Sequence, residues 1–228
     1  HLESGDPGAL DPVREGMATV QDEGSQLVAL AAARAPVVGE DSGRWLDLCA
    51  GPGGKAVMLG ALADTEGARV DAVEVSTHRA DLVRGATGDL PVTVHTLDGR
   101  DPGLDPGFDR VLLDAPCSGL GALRRRPEAR WRKAPSDIPD LVALQRELLG
   151  SALRLVRPGG VVLYATCSPH LSETVSVVRE AARRDDVEML DVREILADAC
   201  VEPLGGLGDG PWVQLWPHRH GTDAMFMA

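Results

Sequence analysis

The apolar positions along the chain follow two alternating spacings. Short runs of four to seven mostly apolar residues are typical of strands, and longer stretches with apolar residues three and four positions apart are typical of helices. The strand pattern falls at 44–49, 69–75, 92–97, 109–114 and 160–166. The helical pattern falls at 23–34, 54–63, 77–86, 137–156 and 171–184. Because strands alternate with helices, the pattern predicts an α/β domain with a mainly parallel sheet and helices on both faces.

Boundary residues sharpen some of these elements. The helix at 137–156 begins beside Ser136 and Asp137, which are good N-cap residues, and ends before Pro158 and two glycines, which stop a helix. The first twenty residues are expected to be loosely structured. The tail is expected to add strands at 187–191, 212–216 and 224–227.

Length and charge narrow the possible functions. The 228 residues are enough for one α/β domain with a sizeable core. Their net charge of −12 repels phosphate backbones, so any nucleic-acid binding must be local or come from another domain. No run approaches the roughly eighteen apolar residues of a membrane span, and the first residues lack the pattern of a signal peptide. We expect a cytoplasmic protein, and because the sequence begins with His1 rather than Met, a fragment of a longer one.

The four cysteines form neither a disulfide scaffold nor a metal site in the sequence pattern. They stand far apart and make no CxxC pair, so reduced thiols are expected, at Cys49, Cys117, Cys167 and Cys200. Cys49 ends a strand, where its thiol can simply pack, and Cys200 is expected to be structural. His218 and His220 lack a second pair of ligands at a suitable spacing, so no metal is predicted.

A glycine-rich turn follows the first predicted strand, in the run LDLCAGPGGKA at 46–56. Its backbone amides and the start of the next helix face a ligand at the carboxyl end of the strand. The run matches neither the dinucleotide nor the nucleoside-triphosphate signature. Glu74 follows the second strand, where an acid can accept hydrogen bonds from both ribose hydroxyls, and Asp98 follows the third. A nucleoside with a modest tail explains these features better than the alternative, a structural turn with two solvated acids.

Two further turns bring a cysteine to the same edge of the sheet. DAPCSG at 114–119 follows the fourth strand and contains Cys117, and TCSP at 166–169 follows the fifth and contains Cys167. A thiolate is well suited to add to the electron-poor carbon 6 of a pyrimidine and to leave again. The alternative is that both are buried core cysteines. Proline and glycine around both thiols favour exposed turns.

A basic run follows the first cysteine turn. RRRPEARWRK at 124–133 combines six basic side chains with one tryptophan, which suits phosphate contacts and base stacking. The alternative is a solvated arginine-rich loop, and the position beside a cysteine turn favours RNA. The candidate RNA contacts are Arg124, Arg125, Arg126, Arg130, Trp131, Arg132 and Lys133.

These runs, in this order and spacing, resemble the catalytic domain of RNA cytosine-5 methyltransferases of the Nop2/Sun family, which use S-adenosylmethionine. The similarity extends from about Gly16 to the end and includes VQDEGSQL at 20–27 and WPHRHGTDAMF at 216–226. Within the family, the chain is most similar to bacterial enzymes that methylate small-subunit ribosomal RNA. The resemblance implies a Rossmann-like S-adenosylmethionine-dependent methyltransferase fold with a mostly parallel seven-stranded sheet over 36–228, an N-terminal extension or helix over 1–35 that packs on it, and a monomer.

The resemblance also assigns the cofactor site. The glycine-rich turn would wrap the methionine and ribose part of the cofactor, Glu74 would hold the ribose hydroxyls, and Asp98 would lie by the adenine. The full set implied for the cofactor is Cys49, Ala50, Gly51, Pro52, Gly53, Gly54, Lys55, Glu74, Arg79, Asp98 and Asp114. Two of these depart from the family pattern, because alanine is usual in place of Gly51 and aspartate in place of Glu74.

The catalytic roles follow from the same resemblance. Cys167 would be the nucleophile, Cys117 would help to release the product, and Asp114 would contact the base. The DNA enzymes take their nucleophile from the proline-cysteine turn, so the presence of both thiols points to RNA. Glu173 keeps only part of a family pattern after the second cysteine, and its role is left open beside the alternative of a first-turn helix acid.

The resemblance implies 16S ribosomal RNA as the substrate, and an N-terminal RNA-binding domain upstream would explain how so acidic a chain serves an RNA enzyme. A tRNA cytosine-5 methyltransferase of the same family is one alternative. A non-catalytic RNA-binding module is another, although it would not need both cysteines. An enzyme that methylates a protein or a small molecule could use the same cofactor site without a covalent thiol.

Overall fold

The computed structural model describes residues 5–197, 199–200 and 204–228. Within these residues seven strands form one sheet. They are β1 (Arg44–Asp47), β2 (Arg69–Val73), β3 (Val92–His95), β4 (Phe108–Asp114), β5 (Val156–Thr166), β6 (Val213–Gln214) and β7 (Phe226–Met227).

Helices connect and cover these strands. The α-helices are α1 (Asp11–Arg14), α2 (Glu23–Arg34), α3 (Gly54–Glu66), α4 (Thr77–Thr87), α5 (Ala129–Arg132), α6 (Ile138–Leu155), α7 (Val175–Ala181), α8 (Val192–Ala197) and α9 (Pro217–His220). Short 3-10 helices lie at Pro7–Ala9, Leu120–Ala122, Pro135–Asp137 and Leu171–Glu173. In the described ranges, no helix has the length and apolar character needed to cross a membrane.

The sheet order is β3-β2-β1-β4-β5-β7-β6. Strands β1 to β5 pair in parallel, and β7 runs antiparallel between β5 and β6. The predicted mostly parallel seven-stranded sheet with a Rossmann-like arrangement is therefore confirmed. Because the chain order reverses between β1 and β4, the carboxyl ends of these two strands border a crevice in which such sheets bind ligands.

The pleat of the strands divides the core into two layers. Trp45 and Leu112 pack on one face of the sheet, under α2, α3 and α8, whereas their neighbours Leu46 and Leu113 pack on the other, under α6 and α7. Successive side chains of a strand point to opposite faces, so each central strand needs apolar residues at consecutive positions. That requirement explains why the strands read as continuous apolar runs in the sequence.

Three local predictions were wrong. Residues 187–191 form no strand, because β7 and β6 occupy the sheet positions beyond β5. The helix predicted at 171–184 is broken at Thr174, whose φ of −123° and ψ of −103° separate a 3-10 turn from α7. Strand β5 starts at Val156, four residues early, since Val156 pairs with Phe108 before the ladder shifts register.

Candidate active site

A cleft of about 580 Å³ opens at the carboxyl ends of β1, β2, β4 and β5. It brings together ten of the eleven residues that the resemblance implied for the cofactor, together with both cysteines of the two turns. The residues with polar or reactive groups that line the cleft come from four places: the turn after β1, Glu74 and Arg79 after β2, Asp114 and Cys117 after β4, and Cys167 after β5. The topology thus explains why these residues meet, because parallel strands end at one edge.

Gly53 is the cofactor-turn residue that does not line the cleft. Its φ of 118° lies in the left-handed region, which favours glycine, and it is the N-cap of α3. A side chain here would also crowd α4, since a Cβ would lie 3.2 Å from the Cβ of Ala86. Gly53 therefore shapes the turn that aims the start of α3 at the cleft.

Gly51 and Glu74 fit each other. The Glu74 side chain is 4% exposed, and its Oε2 accepts a hydrogen bond from Gly51 N at 3.1 Å while its Oε1 accepts one from Ser76 N at 2.9 Å. A Cβ added at Gly51 would overlap Glu74 Oε2. The two departures from the family pattern are therefore one feature, because the longer acid occupies the space that an alanine side chain would need.

Arg79 closes this corner of the cleft. Its Nη2 donates to the Gly51 carbonyl oxygen and lies 3.5 Å from Glu74 Oε2. Asp98 is more open, with a side chain that is 41% exposed and paired with Arg100 at 2.5 Å. Hydrogen bonds from Arg100 lower the pKa of Asp98, so this acid is negatively charged at the cleft wall.

Asp47 is a buried carboxylate that the sequence reasoning missed. It ends β1 directly below the glycine-rich turn, is 0% exposed, and neither carboxylate oxygen has a hydrogen-bond partner within the described part of the chain. Burial, followed by the negative charge of Asp114, raises its pKa to about 7. Its signal in the sequence was an acid inside an apolar strand run, where a buried carboxylate is costly without a partner.

Lys55 and Asp114 form an ion pair in the floor of the cleft. Lys55 Nζ lies 2.7 Å from Asp114 Oδ2, and the two side chains are 12% and 27% exposed. Burial alone would lower the pKa of Lys55, but the charge and hydrogen bond of Asp114 outweigh it and the pKa rises. Lys55 is therefore a fixed positive charge between the cofactor turn and the cysteines.

The two turn cysteines lie side by side. Their Sγ atoms are 3.3 Å apart, although 50 residues separate them in the chain. The hydrogen bond from the Cys117 thiol lowers the pKa of Cys167, and the charge of Lys55 acts in the same direction against burial and the charge of Asp114. The same hydrogen bond, followed by burial, raises the pKa of Cys117. These two directions favour the thiolate at Cys167 rather than at Cys117.

The charge of Asp114 does not by itself separate the two thiols. Its carboxylate raises the pKa of Cys167 as well as that of Cys117, and Lys55 offsets it at Cys167. The position of Asp114 in the same turn as Cys117 therefore does not distinguish the two thiols. The difference arises from the hydrogen bond between the thiols, which sequence separation could not reveal.

The basic run divides into a fastened part and an open part. Arg124 Nη2 lies 2.7 Å from Asp22 Oδ2, and Arg125 Nη2 lies 2.5 Å from Asp223 Oδ2, with both acids almost fully buried. By contrast, the Trp131 side chain is 84% exposed, with the Arg130 guanidinium 5.8 Å from its ring. Arg126, Arg132 and Lys133 are also exposed, and Arg126 and Lys133 border the cleft.

The ion pairs of Arg124 and Arg125 give a structural role to two sequence runs, 20–27 and 216–226, to which the sequence alone assigned none. Asp22 belongs to VQDEGSQL and Asp223 to the closing WPHRHGTDAMF run. Besides the arginines, Asp22 Oδ1 accepts a hydrogen bond from Asp223 N at 3.1 Å. His220 is likewise held within its turn, because its Nδ1 accepts from Trp216 N at 2.9 Å. Both runs therefore anchor the loop beside Cys117.

Comparisons with known proteins identify the family of the chain. The model of the family described as "16S rRNA methyltransferase RsmB/F" matches residues 35–228. The chain is 65% identical over 229 residues to the methyltransferase-named protein Rv1407 of Mycobacterium tuberculosis, covering 100% of this chain and 49% of that protein. It is 36% identical over 227 residues to ribosomal RNA small subunit methyltransferase B of Erwinia tasmaniensis, covering 97% and 48% respectively.

A solved structure shows the same architecture. The crystal structure of PH0851 superposes with a TM-score of 0.84 at 30% identity, covering 99% of this chain and 49% of that one. The chain therefore spans about half the length of these three proteins.

Proposed function

We propose that the chain is the catalytic domain of an RNA cytosine-5 methyltransferase that acts on 16S ribosomal RNA. The chain belongs to the RsmB/F family of 16S rRNA methyltransferases, which use S-adenosylmethionine. The observation that carries the proposal is the pair of thiols 3.3 Å apart in the cleft that also holds the glycine-rich turn. Transfer of a methyl group to an amine or a hydroxyl needs no thiol. Transfer to carbon 5 of a pyrimidine does, because that carbon becomes nucleophilic only after addition at carbon 6.

The residues of the cleft fit the cofactor by charge and by shape. S-adenosylmethionine carries a positive sulfonium and a positive ammonium group, and it supplies the methyl group on the sulfonium. On the side of the cleft formed by the turns after β1 to β4, the acids Asp47, Glu74, Asp98 and Asp114 lie in or beneath the wall beside the cations Lys55 and Arg79. Asp47, whose oxygens have no hydrogen-bond partner among the described residues, is a buried acid whose ionised form a cationic group would stabilise. Gly51 and Gly54 leave the backbone open to the ligand.

The steps assigned to the protein follow from the two turns. The Cys167 thiolate adds to carbon 6 of cytosine with its electron pair. The electrons of the double bond between carbons 5 and 6 are thereby displaced toward carbon 5, which becomes nucleophilic. Asp114 contacts the base, where its carboxylate accepts a hydrogen bond from the exocyclic amine. After methylation, a base takes the carbon 5 proton and the electrons of that bond re-form the double bond between carbons 5 and 6. Cys167 then leaves carbon 6 as a thiolate, and Cys117 assists that release. The target base must be unpaired or flipped out to reach the cleft.

RNA contacts are proposed for the open part of the basic run. Trp131 offers a face for base stacking, and the exposed cations beside it can contact phosphates. Arg124 and Arg125 keep the loop in place and offer only their remaining N–H groups, because Asp22 and Asp223 already hold them. Since the chain carries a net charge of −12, most of the affinity for RNA would come from sequence beyond this domain.

RNA containing 5-fluorocytosine tests the proposal. Fluorine cannot leave carbon 5 as a proton does, so the adduct with Cys167 should persist and survive denaturing electrophoresis. We expect a protein–RNA band with 5-fluorocytosine 16S rRNA fragments in the presence of S-adenosylmethionine, and none with unmodified RNA. An adduct only with tRNA would favour the tRNA alternative. Cofactor binding with no adduct on either RNA would contradict the proposed chemistry.

A further inference from the structure

Glu173 lies at the centre of a buried hydrogen-bond network behind the two cysteines. It ends the 3-10 turn Leu171–Glu173 after β5 and is 0% exposed. Its Oε1 accepts from Ser118 N at 2.8 Å, and its Oε2 accepts from the hydroxyls of Ser118 at 2.6 Å and Ser168 at 2.7 Å. Glu173 does lie in the first turn of a short helix, as the alternative held, but its carboxylate is buried and fully engaged by hydrogen bonds.

The two serines are the residues that directly follow the two cysteines. Ser118 follows Cys117 after β4, and Ser168 follows Cys167 after β5. One carboxylate thus joins the two turns one residue away from each thiol. A backbone hydrogen bond from Gly121 N to the Cys167 carbonyl oxygen, at 2.9 Å, also joins the two turns. Gly121, however, lies four residues after Cys117, so this bond holds the first turn further from its thiol.

Neighbouring side chains fix the carboxylate itself. Gln145 of α6 is 0% exposed, and its Nε2 donates to Glu173 Oε1 at 3.1 Å and to the Pro116 carbonyl oxygen at 2.9 Å. The Tyr164 hydroxyl donates to the Glu173 carbonyl oxygen at 2.7 Å. Ser118 N and Gln145 Nε2 donate to Oε1, and the hydroxyls of Ser118 and Ser168 donate to Oε2, so the carboxylate accepts with both oxygens. An amide would turn its NH₂ toward one of these donors.

We propose that Glu173 is the positioning residue of the thiol pair, which holds Cys117 and Cys167 at the separation that the reaction needs. The inference rests on the proposed function, in which one thiol attacks and the other assists release. Both steps act on one base, so an error in the relative placement of the turns affects both. A misplacement of about 1 Å can cost roughly 100-fold in rate. Glu173 itself touches neither base nor cofactor in this account.

The variant Glu173→Gln tests the proposal with little change in size. The first readout is the rate at which dibromobimane bridges Cys117 to Cys167 in the folded protein, with peptide mapping to locate the bridge. This rate depends on the distance between the thiols and needs neither RNA nor cofactor. The second readout is methylation of RNA, for which we expect kcat to fall by about 10- to 100-fold while the KM for RNA and the Kd for S-adenosylmethionine stay unchanged.

The matched control is Asp109→Asn at the opposite end of β4. Asp109 is also 0% exposed, and its carboxylate accepts from Ser42 Oγ at 2.7 Å, Arg44 N at 3.0 Å and Arg157 Nε at 2.5 Å. It should lose stability without slowing the bridging of the thiols. Ser168→Ala, which removes one bond from Glu173, should reproduce the slowing in part if Glu173→Gln proves too unstable to study.

The outcomes separate this proposal from the proposed function. Slower bridging in Glu173→Gln and Ser168→Ala, but not in Asp109→Asn, supports the positioning role even if no RNA adduct is ever found. Wild-type bridging rates and kcat in folded Glu173→Gln would overturn it, whatever the adduct experiment shows. Equal slowing in the Asp109→Asn control would also overturn it, because the effect would then reflect general loss of stability.

Discussion

Replacing Gly51 with alanine should destabilise the domain, although the backbone conformation of Gly51 alone would predict that alanine stabilises it. Gly51 has no positive φ, and at such sites alanine usually stabilises a protein by about 0.4–1 kcal/mol. Here a Cβ would lie 2.8 Å from Arg79 Nε and 2.9 Å from Glu74 Cδ, and it would overlap Glu74 Oε2. Carbon atoms pack at about 3.5–4.0 Å, so the carboxyl group must move by at least roughly 0.6 Å.

That movement breaks the 3.1 Å hydrogen bond from Gly51 N to Glu74 Oε2. A buried hydrogen bond to a charged group contributes about 1.5–3 kcal/mol, so we expect Gly51→Ala to lower the free energy of unfolding by about 2 kcal/mol. Glu74→Asp shortens the acid by one methylene and should also destabilise. The double variant should recover part of the loss, with a coupling of about 1–2 kcal/mol, because the shorter acid makes room for the methyl group.

Urea denaturation of the four proteins measures this cycle, and calorimetry with S-adenosylmethionine should show the same ranking in affinity. Gly85→Ala in α4 is the control, since no atom lies within 4 Å of its Cβ position, and we expect it to stabilise the helix by about 1 kcal/mol. A neutral or stabilising Gly51→Ala would refute the reasoning. So would a double variant whose loss equals the sum of the two single losses.

Three further predictions concern other parts of the site. Gly121→Ala places a methyl group against the carbonyl oxygens of Ala224 and Cys167, so unfolding measurements should show a loss of about 1–3 kcal/mol; unchanged stability would contradict this close packing. The pKa of Asp47 is raised to about 7, so the wild-type protein loses stability as pH rises from about 4 to 7 and the buried acid becomes charged. The variant Asp47→Asn should therefore have a free energy of unfolding about 4 kcal/mol higher than wild type above pH 7, and the same value near pH 3. Equal stability of the two proteins at all pH values would refute the buried charge. Alanine replacements in the open part of the basic run should make the RNA-binding constant less dependent on salt, lowering the slope of its logarithm against the logarithm of salt concentration by about 0.7 per phosphate contact. Arg124→Ala should mainly lower the free energy of unfolding. A smaller salt slope for Arg124→Ala, with unchanged slopes for the open part, would contradict the division of the run.

The central architecture could be predicted from sequence because its signals are local. Strands β1, β2 and β4 and the second half of β5 are largely buried and read as apolar runs. Strand β3 is only partly buried but still carries β-branched residues, and α6 has clear boundary residues, so the existence of these elements was correctly predicted. Strands β6 and β7 lie inside the ranges predicted for them, 212–216 and 224–227, but each is only two residues long. No local pattern encodes their placement, in which β7 pairs antiparallel with β5 on one side and with β6 on the other. The apolar residues at 187–191 resemble a strand, but Met189 packs against the core without joining the sheet.

The chemistry of the site was only partly visible for the same reason. Glycine turns and cysteine turns have local signatures, which is why the cleft residues could be named. The partners of Glu173 lie up to 55 residues away, and Arg125 meets Asp223 across 98 residues. Such contacts exist only once the sheet brings the turns together, so the sequence left Glu173 without a role and treated all the arginines of the basic run alike.

The most direct test of the central claim is the covalent adduct of the two cysteine variants on RNA containing ordinary cytosine. Cys167→Ala should neither methylate RNA nor form an adduct, because the thiolate that starts the reaction is gone. Cys117→Ala should form the adduct and transfer the methyl group but fail to release the product, which leaves a protein–RNA species that survives denaturing electrophoresis. A stable adduct with Cys167→Ala and none with Cys117→Ala would contradict the assignment of the two thiols.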